Sequence, residues 1–397
     1  MPIRPLSDYD MSATRGFLCA HDPVDIHLSG RLGELAGIAM ALPDMLPTGR
    51  VRHWLASALP QVTEAEIDAL TDLEARQAFV HVSFMVQAWV WGESDAPTSI
   101  PAALARPMVA LSDRLGQPPL LTYSSYVLDN WSRLDKDGPI SLDNTYMVQN
   151  FLSGMDEAWF VLIHVAIEAQ AGKVLALMQP VTEAVAAGDE ASARHHLEAM
   201  AGHWSGINAI FDRMPERCDP YIYFNRVRPY IHGFKDNPAL PNGLIYEGVE
   251  RFNGEGQFFR GQTGSQSSIV PSMDSLLGVG HAADPLRAYL DELHIYRPPS
   301  HRRFIEDVRE TSTLRDFVTR TGHAGLADAY NANIQAVADF RSRHLEYAAS
   351  YINKQGRTGT GNDTEVGTGG TPFMRYLKKH RDETAANLIR LPATATV

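Results

Sequence analysis

His344 sits on an apolar helical stripe with Arg341 one turn before it. Val337, Phe340, His344, Ala348 and Tyr351 recur at the spacing of a single helix face within residues 328–354. Burying imidazole nitrogens costs a few kcal/mol unless a partner is supplied. Two readings follow. The ring bonds a backbone carbonyl, as buried polar groups usually do, or it holds a metal. A haem iron is one such metal, and a cation three residues earlier on the same helix can meet a porphyrin carboxylate.

Other single polar residues lie on apolar ground. His164 is embedded in a run from Phe160 to Ile167, and Glu168 follows one turn later, within reach to accept a hydrogen bond. The pair is either a satisfied buried couple or part of a pocket facing His344. Arg228 follows Tyr221, Tyr223 and Phe224. An arginine beside aromatic rings suits a carboxylate carried on a flat apolar group, or else a surface ion pair. His195 and His196 lie on a charged helix and read as solvated.

Common alternatives are excluded by absence. The chain has no GxGxxG before a helix, no GxxxxGK[ST], no HExxH and no GxSxG. A di-iron bundle needs Glu-x-x-His on two helices, and the nearest approach is Asp291 to His294. Cys19 and Cys218 are the only cysteines, so there is no disulfide framework and no CxxCH. Any haem would be held non-covalently. A net charge of −12 argues against a nucleic-acid surface.

The elements that must position these groups read as helices. Proline-broken pieces cover residues 32–42 and 51–59, followed by a longer helix over 64–91. Residues 92–107 read as a surface connection rich in Pro, Ser and Ala. Beyond it, 155–178 is largely apolar and belongs in a core. Amphipathic segments follow at 181–213, 285–294, 313–320, 328–354 and 373–391. No βαβ alternation appears, so the expected fold is mainly α, with a small N-terminal domain (1–115) and a larger helical domain (116–397). The boundary falls between Gly92 and Pro139. Residues 356–371, glycine-rich and polar, read as a linker or as a loop closing over a site. No signal peptide and no membrane span is expected, and a reducing cytoplasm fits.

Seven segments together resemble the indoleamine 2,3-dioxygenase family: PPLLTYSSYVLDNW (118–131), RPYIHGFKDNPALPNGLIYEGV (228–249), GQTGSQSS (261–268), MDSLLGV (273–279), RPPSHRRF (297–304), FRSRHLEYAASYI (340–352) and GTGGTPFMRYL (367–377). They run in the family's order across about the last two-thirds of the chain.

The resemblance implies a haem b enzyme that adds dioxygen across the indole C2–C3 bond of L-tryptophan or a related indole, giving an N-formylkynurenine-type product. It implies that His344 is the proximal iron ligand, that Arg341 meets a propionate and that Asp274 holds that arginine. By the same correspondence Arg228 binds the substrate carboxylate and Phe160 packs on the indole. Tyr223 and Phe224 fall where the family has paired phenylalanines. Tyr123, Val127 and Thr263 line the pocket, and Thr368 falls on the closing loop. His164 stands where the animal enzymes carry serine and resembles the distal histidine of tryptophan 2,3-dioxygenases. Tyr126 and Gln262 replace smaller residues and should reshape the pocket. Two alternatives stay open: a haem monooxygenase of a modified indole, and a non-catalytic haem oxygen-binding protein.

Overall fold

A computed structural model describes residues 3–283, 285–355, 367–368 and 373–391 of the chain. It is mainly α-helical, as the missing βαβ alternation requires. The strands among the described residues form two small pairs. Ser99–Ile100 runs parallel to Ile245–Tyr246, and Trp131–Arg133 is antiparallel to Thr145–Met147.

Helix boundaries follow local capping. The single helix expected over 64–91 is two helices, Glu64–Asp68 and Asp72–Trp91. Each begins with a capping box, Thr63 with Glu66 and Thr71 with Glu74, which satisfies orphan amides at both starts. The expected 181–213 segment is also split. Met178–Ala187 ends at Gly188 in the left-handed conformation, and Asp189 caps Glu190–Phe211. The supposed connection over 92–107 gives way to a helix, Ala102–Leu115, despite an internal Pro107. Leu104, Ala105, Met108 and Leu111 are buried along it, so tertiary packing outweighs the proline. Two helices without a sequence expectation, Ile269–Leu277 and Pro299–Thr311, pack against one another.

The site-bearing layer is a stack of four helices. Met155–Leu175 packs on Glu190–Phe211, which packs on Ala324–Ala348, which packs on Phe373–Ala385. Met155–Leu175 is largely apolar with no single polar face, and most of its residues are buried, as in a central helix. The stretch Met155–Ala187 is long and apolar enough to cross a membrane by composition alone, yet 67% of its most apolar window is buried inside the protein.

Three π-helical turns interrupt the described residues: Ser124–Leu128, Tyr223–Val227 and Ala349–Asn353. Such turns widen a helix by one residue and redirect its side chains, and they concentrate at functional sites. The second and third contribute Tyr223, Tyr351 and Ile352 to the smaller cavity described next.

Candidate active site

Two adjoining cavities open between the stacked helices. The larger, of about 590 Å³, is lined by Tyr123, His164, Asp274, His281, Arg341 and His344 among others. The smaller, of about 140 Å³, is lined by Phe160, His164, Tyr223, Gln262, Thr263, His344 and Thr368 among others. His164 and His344 line both.

The Ala324–Ala348 helix delivers His344. Its ring has no hydrogen-bond partner among the described residues, and it stands against Phe211 with ring centroids 6.4 Å apart. Phe211 is itself stacked on Phe340 at 4.9 Å, which fixes this wall. Burial first, then His164 and Arg341, push the His344 imidazole down to about 4. It is therefore a neutral nitrogen donor at ordinary pH. The carbonyl-bonded reading of His344 does not apply.

That description fits His164 instead. Its Nδ1 lies 2.7 Å from the Phe160 carbonyl oxygen. A carbonyl only accepts, so Nδ1 carries the proton and Nε2 is left as an acceptor. Burial holds this imidazole below its usual range, with the Phe160 carbonyl opposing. Of the two readings of the pair, the His164–Glu168 bond is not the one formed. Glu168 Oε1 accepts from the Tyr123 hydroxyl and the Ser267 hydroxyl, both at 2.9 Å. Burial raises the Glu168 carboxyl to about 7 against these two bonds.

Arg341 is held end-on. Its Nη2 and Nη1 donate to Asp274 Oδ2 and Oδ1 at 2.7 and 3.2 Å, and Nη1 also donates to Thr384 Oγ1. Burial raises the Asp274 carboxyl, but Arg341 and His281 outweigh it and hold the group below its ordinary value. Cations absent from the sequence reading also reach the large cavity, notably Arg287, Arg297 and Arg309. Arg297 donates to the Ser265 and Ser267 carbonyls at 2.8 and 3.3 Å. Burial and then Arg309 lower it to about 10. No motif announces these arginines, since they converge only in the fold.

The smaller cavity has an aromatic wall. Phe160 stands 4.7 Å from the His164 ring and 4.8 Å from Tyr223, whose other edge meets Tyr351 at 5.7 Å. Opposite, the Thr368 hydroxyl donates to the Gln262 carbonyl at 2.7 Å, and the Thr368 carbonyl accepts from Gly233 N at 3.2 Å. A β-carbon on Gly261 would lie 2.3 Å from Gly233 N and 2.5 Å from the Thr368 carbonyl oxygen, so this junction admits only glycine. Most of the glycine-rich loop, residues 356–366 and 369–371, lies outside the described residues.

Four expected site residues line neither cavity. Arg228 is fully buried with its guanidinium over the Phe224 ring at 5.4 Å, so it is no surface ion pair. Phe224 is buried beside it, and Val127 is buried in its π turn. Tyr126 backs Phe160 at 6.5 Å, among Phe84 and Phe151.

The residues suit a haem. The cavity volume falls within the roughly 300–1,000 Å³ of cofactor sites. A neutral histidine projects into it, its walls include Ile269, Val270, Leu290 and Phe340, and arginines stand at its edges for two carboxylates.

Residues 5–387 match the model of the indoleamine 2,3-dioxygenase family. The chain is 30% identical to human indoleamine 2,3-dioxygenase 2, over 91% of this chain and 94% of the relative. It is 31% identical to the rat indoleamine 2,3-dioxygenase 1, over 98% and 97%. It is 29% identical to the indoleamine 2,3-dioxygenase nanC of Aspergillus nanangensis, over 98% of each chain. With a cavity of fitting size and donor set, and likeness along nearly its whole length, the chain belongs to the indoleamine 2,3-dioxygenase family, haem-dependent dioxygenases acting on indoles.

Proposed function

We propose that this chain binds haem b through His344 and cleaves the indole C2–C3 bond of L-tryptophan or a close relative with dioxygen. The observation that carries the reading is the unpartnered His344 ring, lining the same space as an acceptor-only His164 Nε2. Haem, when bound, supplies the binding and activation of dioxygen.

The protein's own contribution is position and polarity. Arg341 and the Arg297 group line the large cavity and would hold the two carboxylates of the porphyrin. Phe160 and Tyr223 supply flat walls for an indole in the smaller cavity. His164 Nε2 takes the indole N–H as a hydrogen bond, because its other nitrogen keeps the proton. Thr368, bonded to the Gln262 carbonyl, closes part of the smaller cavity's wall and would help to exclude water. Arg228 anchors the substrate carboxylate; this role rests on correspondence with the family, with its burial among rings as support. Two buried free thiols fit a reducing compartment.

The test is an absorption spectrum of the protein with and without haem, for the wild type and for His344→Ala. The wild type develops a haem band that the variant loses. Tryptophan added to the reduced holoprotein in air should then give a product heavier by two oxygen atoms. One added atom establishes the monooxygenase reading, which the Gln262 side of the small cavity keeps in play. Reversible oxygen uptake with no loss of tryptophan establishes an oxygen-binding protein.

A further inference from the structure

At one end of the large cavity a second set of donors converges. His380 and Glu383 lie three residues apart on one face of the Phe373–Ala385 helix, and His281 comes from the segment after Ile269–Leu277. One ligand-capable atom from each lies within 4.8 Å of the others. The His281 and His380 rings are 4.8 Å apart.

We propose that His281, His380 and Glu383 form a binding site for a divalent transition-metal cation of the zinc type, separate from the iron site. Three observations support it. His380 is only 8% exposed, and its Nε2 has no hydrogen-bond partner among the described residues. A buried imidazole nitrogen left without a partner costs free energy that a cation would recover. Next, two imidazoles and a carboxylate are the mixed N/O set that zinc takes, leaving a fourth position for water.

Last, His281 is already oriented as a metal ligand is. Its Nδ1 points to Glu383 Oε2 at 2.6 Å, while Nε2 lies 3.3 Å from Asp274 Oδ2. A ligating histidine commonly gives its other N–H to a carboxylate in this way, which fixes the tautomer and raises basicity. On binding, the cation replaces the proton now held between His281 Nδ1 and Glu383, and that proton is released to solvent. Bonds of about 2.0–2.2 Å set tetrahedral donors about 3.3–3.6 Å apart, so His281 Nδ1 and Glu383 Oε2, now 2.6 Å apart, must open while the wider spacings within the 4.8 Å cluster close. The shift is within side-chain reach. Glu383 gives up part of its pairing with Lys379, now at 3.4 Å.

The placement has a consequence for the iron site. Asp274 bonds both His281 and Arg341, so a cation on His281 bears on the arginine at the porphyrin edge through a single carboxylate.

The experiment is zinc chloride titrated into the haem-loaded protein, followed by dialysis and elemental analysis. The proposal expects one retained equivalent, with affinity at least tenfold weaker in His380→Gln and in Glu383→Gln. Glu383 is 19% exposed and its amide is isosteric, so that variant keeps the fold, and an unchanged haem band verifies this in each variant. No retained zinc in the wild type overturns the proposal, as does equal retention in both variants. Because zinc retention is read rather than turnover, the proposal does not fall with the dioxygenase reading.

Discussion

Asp274 takes both ends of the Arg341 guanidinium, at 2.7 and 3.2 Å, and its second oxygen also meets His281. The arginine that would face a haem carboxylate is thus aimed before any haem arrives. Asp274→Asn removes the charge from a pair whose side chains are only 9% and 14% exposed. Losing one partner of a buried pair costs about 3 kcal/mol. Urea denaturation should show that loss, together with faster haem transfer to an acceptor globin. An unchanged haem off-rate would separate Arg341 from the porphyrin.

His164 is expected to act through Nε2 as an acceptor, so a substrate lacking the indole N–H should suffer. Tryptophan methylated on the indole nitrogen should show kcat/KM lower by about tenfold or more in the wild type, the worth of one hydrogen bond to a buried acceptor. In His164→Ala the two substrates should converge. A wild type that treats both alike removes the role.

Glu168 sets a pH dependence. Its folded value, raised to about 7 by burial, exceeds its ordinary value of 4.5. The folded state therefore holds a proton that the unfolded chain releases, and the resulting stability is full below pH 4.5 and lost as pH rises through about 7. The amount is about 3 kcal/mol at most. Glu168→Gln should lack this decline. Urea midpoints of both proteins between pH 4.5 and 8 measure it, and parallel curves would sink the assignment.

Gly261→Ala tests the latch at Thr368. The added β-carbon would lie 2.5 Å or less from three backbone atoms, which must move apart. A loss of about 1–3 kcal/mol is expected from overpacking, with a raised KM as the Thr368 contacts open. Unchanged KM at reduced stability would show that the junction serves only the fold.

What was legible beforehand follows physical reach. The 337–351 stripe reads from sequence because helical period and burial coincide there: Val337, Ala348 and Tyr351 are buried and Phe340 is partly so. Of the two sequence readings of His164, the pocket one agrees with its place in both cavities. The bond to Glu168 that i to i+4 spacing offers is replaced by one to the Phe160 carbonyl at i−4. Glu168 had been taken by Tyr123, 45 residues earlier, and Ser267, 99 later. Such partners have no local trace. Nor do the π turns, which depend on packing rather than on residue type, and Pro107 reads as a break until its buried neighbours are known.

Both contacts that seat Thr368 go to main-chain atoms, the Gln262 carbonyl and the Gly233 amide. Seat and selectivity are therefore decoupled. Whatever side chain occupies position 262 can be exchanged for a bulkier or more polar one while Thr368 keeps both of these bonds, so the pocket's preferences can drift without the junction being rebuilt.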